Sequence, residues 1–278
     1  MTRYGTPDQP ASRRRRVLFA TVGGLVALAF LTSTPNVLAP WMVVNIENLT
    51  DPAHMRWSLA LEGVVDLLGL VCLVVALARP ARSVLLVQYL LYAAVLAAAV
   101  ILPFSPMFLI TVGLLLLVPL AYPYPRELFA LRSRSGLSHA LLAVAVATAA
   151  VLLPLAAQAL RTQANLPRGS GSDFNTLATN AEHLLLLALA GLLAATRRPG
   201  WKVIALGVTA TYAYLAVASI LLPDQPNSWG LAGGIASLLS AVAFAIATAI
   251  TARRVDIHTP GPRTASSAQR LGSRSTGR

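Results

Sequence analysis

Apolar residues in this chain fall in eight blocks of 16 to 22 residues, at about 17–37, 58–78, 84–102, 107–122, 139–160, 177–196, 203–222 and 230–251. Within each block the hydrophobic positions run around the whole helical circumference rather than along one stripe. A soluble core has no use for that many fully apolar helices, whereas a bilayer does. Its hydrocarbon layer is about 30 Å thick, and a helix rising about 1.5 Å per residue needs roughly 20 apolar residues to cross it. The pattern predicts an all-α, polytopic membrane bundle of about eight spans. The fourth block is short, and only Pro103-Phe104-Ser105-Pro106 separates it from the third. Blocks three and four therefore read either as two spans or as one interrupted hairpin, and seven spans is the alternative count.

Between the blocks there is little room for another domain. The expected organisation is a basic, disordered N-terminus (1–16), a first four-helix half (17–122), a loop (123–138), a second four-helix half (139–251) and a basic tail (252–278) rich in Ser, Thr, Gly and Pro. The stretch 38–57 mixes Trp41, Val43, Val44 and Ile46 with Asn45, Glu47 and Asn48 and is expected to lie along the interface as a short helix.

The two halves carry a weak internal repeat. Ala78-Arg79-Pro80 and Arg197-Arg198-Pro199 each follow one apolar block and precede another that ends at Leu-Pro, 23 and 24 residues after the first proline. Aligned on those prolines, Glu62 and Glu182 fall within one position of each other. A tandem four-plus-four arrangement would relate the halves by an axis along the membrane normal and place any site between them.

Composition and charge agree with this reading and orient it. The chain is 56% hydrophobic and only 12% charged, about half the charge of an ordinary soluble domain. Nineteen of its 22 Lys and Arg fall on one side of the eight blocks, with Arg56, Arg161 and Arg168 opposite. The positive-inside rule puts both termini in the cytoplasm. The net charge of +12 is accounted for by loops that topology already requires to be basic, so no nucleic-acid partner is expected. The Ala- and Arg-rich composition points to a bacterial cytoplasmic membrane. All four tryptophans stand near block ends and read as interfacial anchors. Cys72 is the single cysteine, which excludes an intrachain disulfide.

The candidate chemistry lies in the few polar groups inside the blocks. An Asp at a helix centre costs about 2.5–3.5 kcal/mol to insert, so such a group usually faces protein or water and marks function. Glu62 and Asp66 are four residues apart and share one helix face, where like charges repel and a held proton would lower the cost of insertion. Glu182 and His183 open the sixth block. As neighbours they diverge by about 100° and are expected to serve different walls of a cavity. Gln88 and Tyr92 share a face of the third block, placed either to hydrogen-bond Asp66 or to join helices. No metal site is expected: His139 and His258 fall on the basic side, His54 and His183 on the other, and no HExxH spacing occurs. There is no P-loop, GxSxG elbow, kinase signature or dinucleotide fingerprint, and no cofactor is expected.

Three functions fit these residues. The first is a carrier or permease-like subunit in which Asp66, Glu62 and Glu182 couple a pathway to protons or to a cationic solute. The second is a membrane-embedded enzyme that uses one of these carboxyls as a general acid on a lipid or isoprenoid. The third is a structural or sensory partner without a pathway. The expected partners are the lipid bilayer, a small solute or lipid, and a second copy or another membrane subunit.

Overall fold

The structure is a computed structural model that describes residues 12–41, 55–129, 136–166, 176–225 and 227–257. Each apolar block forms a helix: α1 (Arg13–Ser33), α2 (Met55–Ala78), α3 (Val84–Val100), α4 (Leu109–Ala121), then, after the four-residue α5 (Pro125–Leu128), α6 (His139–Asn165), α7 (Thr176–Ala195), α8 (Trp201–Leu221) and α9 (Gly230–Ile257). No strand occurs among the described residues. The protein is an all-α polytopic membrane bundle. Six helices (α1, α2, α6, α7, α8 and α9) are long and apolar enough to cross a bilayer.

The 17-residue α3 and 13-residue α4 are shorter, about 26 Å and 20 Å at the α-helical rise. They are two separate helices packed on each other. Pro103 and Pro106 lack the amide hydrogens that would continue the ladder, and a 3-10 turn at Pro106–Phe108 leads into α4.

The halves pack alike. In the first, α1 lies on α2, α2 on α3, α3 on α4, and α4 returns to α1; α6, α7, α8 and α9 make the same circuit. Between the halves α2 meets α8, α3 meets α7, and α2 meets α7. Exchanging α1–α4 for α6–α9 leaves this pattern unchanged, as a two-fold axis along the membrane normal requires. The central helices are α2, α3, α7 and α8, and α7 is the most enclosed of the six long ones. The peripheral helices α1, α4, α6 and α9 present Leu28, Ile110, Leu120, Val151, Leu239 and Ile246 outward, a continuous apolar coat that fits lipid.

All the inter-helix turns rich in arginine gather at one end of the bundle. There the Leu85 amide donates to the Pro199 carbonyl (3.2 Å), tying the halves together through backbone, and the Ser138 amide donates to the Ala195 carbonyl (2.9 Å), joining the start of α6 to the end of α7. The Arg198 guanidinium donates to Gln88 Oε1 (2.7 Å) and to the Glu127 carbonyl (2.8 Å), and Gln88 Nε2 donates to the Leu128 carbonyl. Tyr122 closes the same end by donating to Pro80 (2.6 Å). Partial burial holds the Arg198 guanidinium below its ordinary pKa.

Several boundaries differ from the hydropathy blocks. The helix α1 begins at Arg13, with Ser12 as its N-cap, so Arg13–Arg16 form its first turn. The chain continues past α1 as a 3-10 turn, Thr34–Leu38. The expected interfacial helix and the two terminal segments fall largely outside the described residues. The tryptophans also divide. Trp41 is half exposed, as an anchor should be, whereas Trp57 is 1% exposed and packs on Trp229 with ring centroids 5.3 Å apart. Trp57 is core: the hydropathy pattern locates it near a block end but cannot tell which way the side chain faces.

Candidate functional site

The central seam between the halves holds the buried ionisable groups. Two glycines bring its walls close. A Cβ on Gly63 would stand 2.4 Å from the Val37 amide nitrogen, so the 3-10 turn after α1 lies directly on α2 beside Glu62. Tyr214 of α8 donates to the Val37 carbonyl (2.6 Å) and holds that turn from the second half. A Cβ on Gly207 would stand 2.3 Å from Leu68 Cδ1, which sets the close approach of α8 to α2. Across the α2–α7 contact, Asn180 Nδ2 donates to Ser58 Oγ at 2.9 Å, with both groups buried.

One turn further into the bundle, His183 of α7 faces Asp66 of α2, with Nε2 3.7 Å from Oδ1. His183 Nδ1 is 2.7 Å from the Thr179 carbonyl and 3.5 Å from Glu182 Oε2. Glu182 and His183 are each 5% exposed. Glu62, partly buried and one turn from Asp66 on the same face of α2, completes the group. The structure thus brings Glu62, Asp66, Glu182 and His183 into one cluster, with two members from each half. Glu182 and His183 are closer than the 100° divergence of adjacent residues suggests, because the two-carbon stem of Glu182 lets its carboxyl fold back to the imidazole.

The ring geometry decides where a proton sits. A carbonyl oxygen can only accept, so the 2.7 Å contact to Thr179 fixes a hydrogen on Nδ1. In a neutral ring Nε2 is then a lone pair, and it faces a carboxyl oxygen of Asp66. A ring that carries a second hydrogen on Nε2 would pair with this carboxyl across the two halves; at 3.7 Å the contact has an ion-pair separation, longer than a hydrogen bond.

Gln88 and Tyr92 lie elsewhere. Gln88 belongs to the arginine-rich end, bonded to Arg198 and Leu128, about 12 Å along the bundle from Asp66 by helical rise. Tyr92 is 39% exposed. The third polar side chain at depth in α3 is Tyr89, which is fully buried. Tyr89 lies about 100° around the helix from Gln88. Ser58 was missed as a partner, since a short hydroxyl in an apolar helix carries no distinguishing pattern, and Thr179 acts through its backbone carbonyl, which any residue supplies.

No group of three or more His, Cys, Asp and Glu able to hold a metal occurs among the described residues. A cavity of about 610 Å³ lies among α6, α7, α8 and α9, with Trp57 and Leu61 of α2 completing its wall, and none of the four clustered residues lines it. Comparison with protein-family models, curated proteins and solved structures gives no significant match.

Proposed function

We propose that this multipass membrane protein is a proton-coupled carrier or permease-like subunit, with Asp66, His183, Glu182 and Glu62 as its coupling group. The observation that supports this reading is the Asp66–His183 pair, 3.7 Å apart at the junction of two similarly packed halves. A proton placed there links the protonation state to the relative position of the halves: gaining or losing it changes an attraction across the seam into a repulsion. Alternating access by motion of one repeat against the other needs a switch at such a place. A cationic solute is the natural alternative occupant of the same charge, since it satisfies the same carboxylates when the proton leaves.

The general-acid enzyme is less well supported, because it requires these carboxyls to line a pocket for an apolar substrate. The described cavity is lined by none of them. A partner protein without a pathway does not call for a seam of four ionisable groups, whose insertion is costly.

Proteoliposomes with a trapped pH indicator, challenged with a panel of small organic cations, test the proposal. Addition of a transported solute is expected to move protons in the wild type, and Asp66→Asn or His183→Gln is expected to abolish that movement. Proton movement that is absent with every cation, or equal in the variants, overturns it.

A further inference from the structure

A short segment outside the long helices lies at each end of the seam, and each is held from both halves by side chains that donate to its backbone carbonyls. At the arginine-rich end the segment is α5, in the link between the halves. Gln88 of the first half donates to the Leu128 carbonyl, and Arg198 of the second donates to the neighbouring Glu127 carbonyl at 2.8 Å. Arg198 also donates to Gln88 Oε1 at 2.7 Å, which joins the three groups into one network. At the opposite end the segment is the 3-10 turn Thr34–Leu38, followed by Ala39, Pro40 and Trp41. Arg56 of the first half donates to the Ala39 and Pro40 carbonyls (3.3 and 3.1 Å). Tyr214 of the second half donates to the Val37 carbonyl (2.6 Å), and its ring meets Trp41 edge-on with centroids 5.9 Å apart.

The ionisable cluster lies between these two segments. Along α2, Asp66 stands eleven residues from Met55 and twelve from Ala78, about 17 and 18 Å of helical rise. The space between the cluster and α5 is shut. Cys72, six residues beyond Asp66 towards that end, is 0% exposed. It follows Ser58 by fourteen residues, hence lies within about 40° of the face that Ser58 presents to Asn180 of α7.

Both segments are lightly anchored. Of α5 only Leu128 is buried, and the Thr34–Leu38 turn buries no residue fully. Segments with so little apolar contact are the first to open. A hydrogen bond to a carbonyl can be exchanged for one to water at small net cost, whereas a packed apolar contact cannot. Neither segment is part of a long helix, so each can lift without unwinding a span.

From this arrangement we propose that α5 and the Thr34–Leu38 turn are the two gates of the seam, latched to the second half by Arg198 and Tyr214 respectively, with both latches made in this structure. The inference rests on the carrier reading, since gates have a use only around a pathway. A half that rocks against the other separates most at one end of the bundle, so one latch breaks while the other stays made.

Thiol labelling of the full chain in nanodiscs with a small water-soluble maleimide reads both gates, because the rate follows the fraction of time a buried thiol is uncovered. The native Cys72 reports on the arginine-rich end. Ala39→Cys in a Cys72→Ser background reports on the other, Ala39 being 3% exposed. Arg198→Lys keeps the charge but lacks the fork that serves two acceptors. It is expected to speed Cys72 labelling about tenfold, the value of one charge-assisted hydrogen bond, and to leave Ala39→Cys labelling unchanged. Gln88→Met, which removes the donor to Leu128, is expected to act at Cys72 in the same way. Tyr214→Phe is expected to speed labelling of Ala39→Cys about fivefold, the value of one neutral hydrogen bond, and to leave Cys72 unchanged. Wild-type rates at the released end in all three variants, or rates that rise together at both ends, overturn the gates. Labelling needs neither proton nor solute movement. End-specific labelling without proton movement therefore refutes the coupling reading alone, and proton movement with labelling indifferent to the latches refutes the gates alone.

Discussion

The substitution His183→Gln keeps a polar side chain of similar length and removes the ability to carry a second proton. At an effective dielectric of about 20, an imidazolium 3.7 Å from Asp66 and 3.5 Å from Glu182 gains roughly 4–5 kcal/mol from each carboxylate before desolvation is subtracted. Breaking a buried pair of this kind typically costs about 3–5 kcal/mol, because the remaining charge is left uncompensated. A neutral imidazole at this 3.7 Å separation makes no hydrogen bond to Asp66, so its removal would cost about 1 kcal/mol or less. The size of the loss, read from denaturant titration in mixed micelles, therefore reports whether the ring carries a second proton. With His183→Gln already present, Asp66→Asn should cost less than it does alone, by about 1–3 kcal/mol in a double-mutant cycle. Costs that add within about 0.5 kcal/mol would refute the argument that Asp66 and His183 form an ion pair across the two halves.

Three other outcomes follow from the packing. Gly63→Ala should destabilise by about 1–3 kcal/mol, since its methyl meets the backbone of Asn36 and Val37 rather than a yielding side chain; Gly24→Ala meets nothing within 4 Å and should be neutral or gain up to about 1 kcal/mol in helix propensity. The contrast is readable from paired unfolding curves. Arg198→Ala should cost about 2–3 kcal/mol by leaving Gln88 Oε1 and the Glu127 carbonyl without this donor, and hydrogen exchange should rise in α5 before it rises in α7. Trp57→Ala should cost about 3–5 kcal/mol, as for a buried aromatic, whereas Trp41→Ala should fall within about 1 kcal/mol; near-equal effects on thermal stability would contradict the core placement of Trp57.

The fold was largely legible because a bilayer imposes one simple requirement, a long apolar helix, and each of the eight blocks satisfies it in composition even where α4 is short. The repeat was legible through Arg79-Pro80 and Arg198-Pro199, since a proline after a basic turn marks a helix start whatever the helices face. Facing was not legible. A helix apolar all round has no stripe to orient it, so nothing in the sequence separated the buried Trp57 from the half-exposed Trp41, or placed Gln88 with Arg198 rather than with Asp66.

The same limit explains why the cluster was found and the cavity was not. Glu62, Asp66, Glu182 and His183 announce themselves by the cost of placing ionisable groups in hydrocarbon, a cost that any neighbour must answer. The cavity is made of residues that are individually ordinary in a membrane helix, and the space they enclose belongs to the packing and not to any one of them. Helix α7 contains both cases within one turn. Asn180 and Leu184 line the cavity while Glu182 and His183, between them in sequence, turn to the seam. A periodicity of 3.6 predicts that these residues point different ways, but only the neighbours packed around α7 determine that one direction is a cavity and another the seam of ionisable groups.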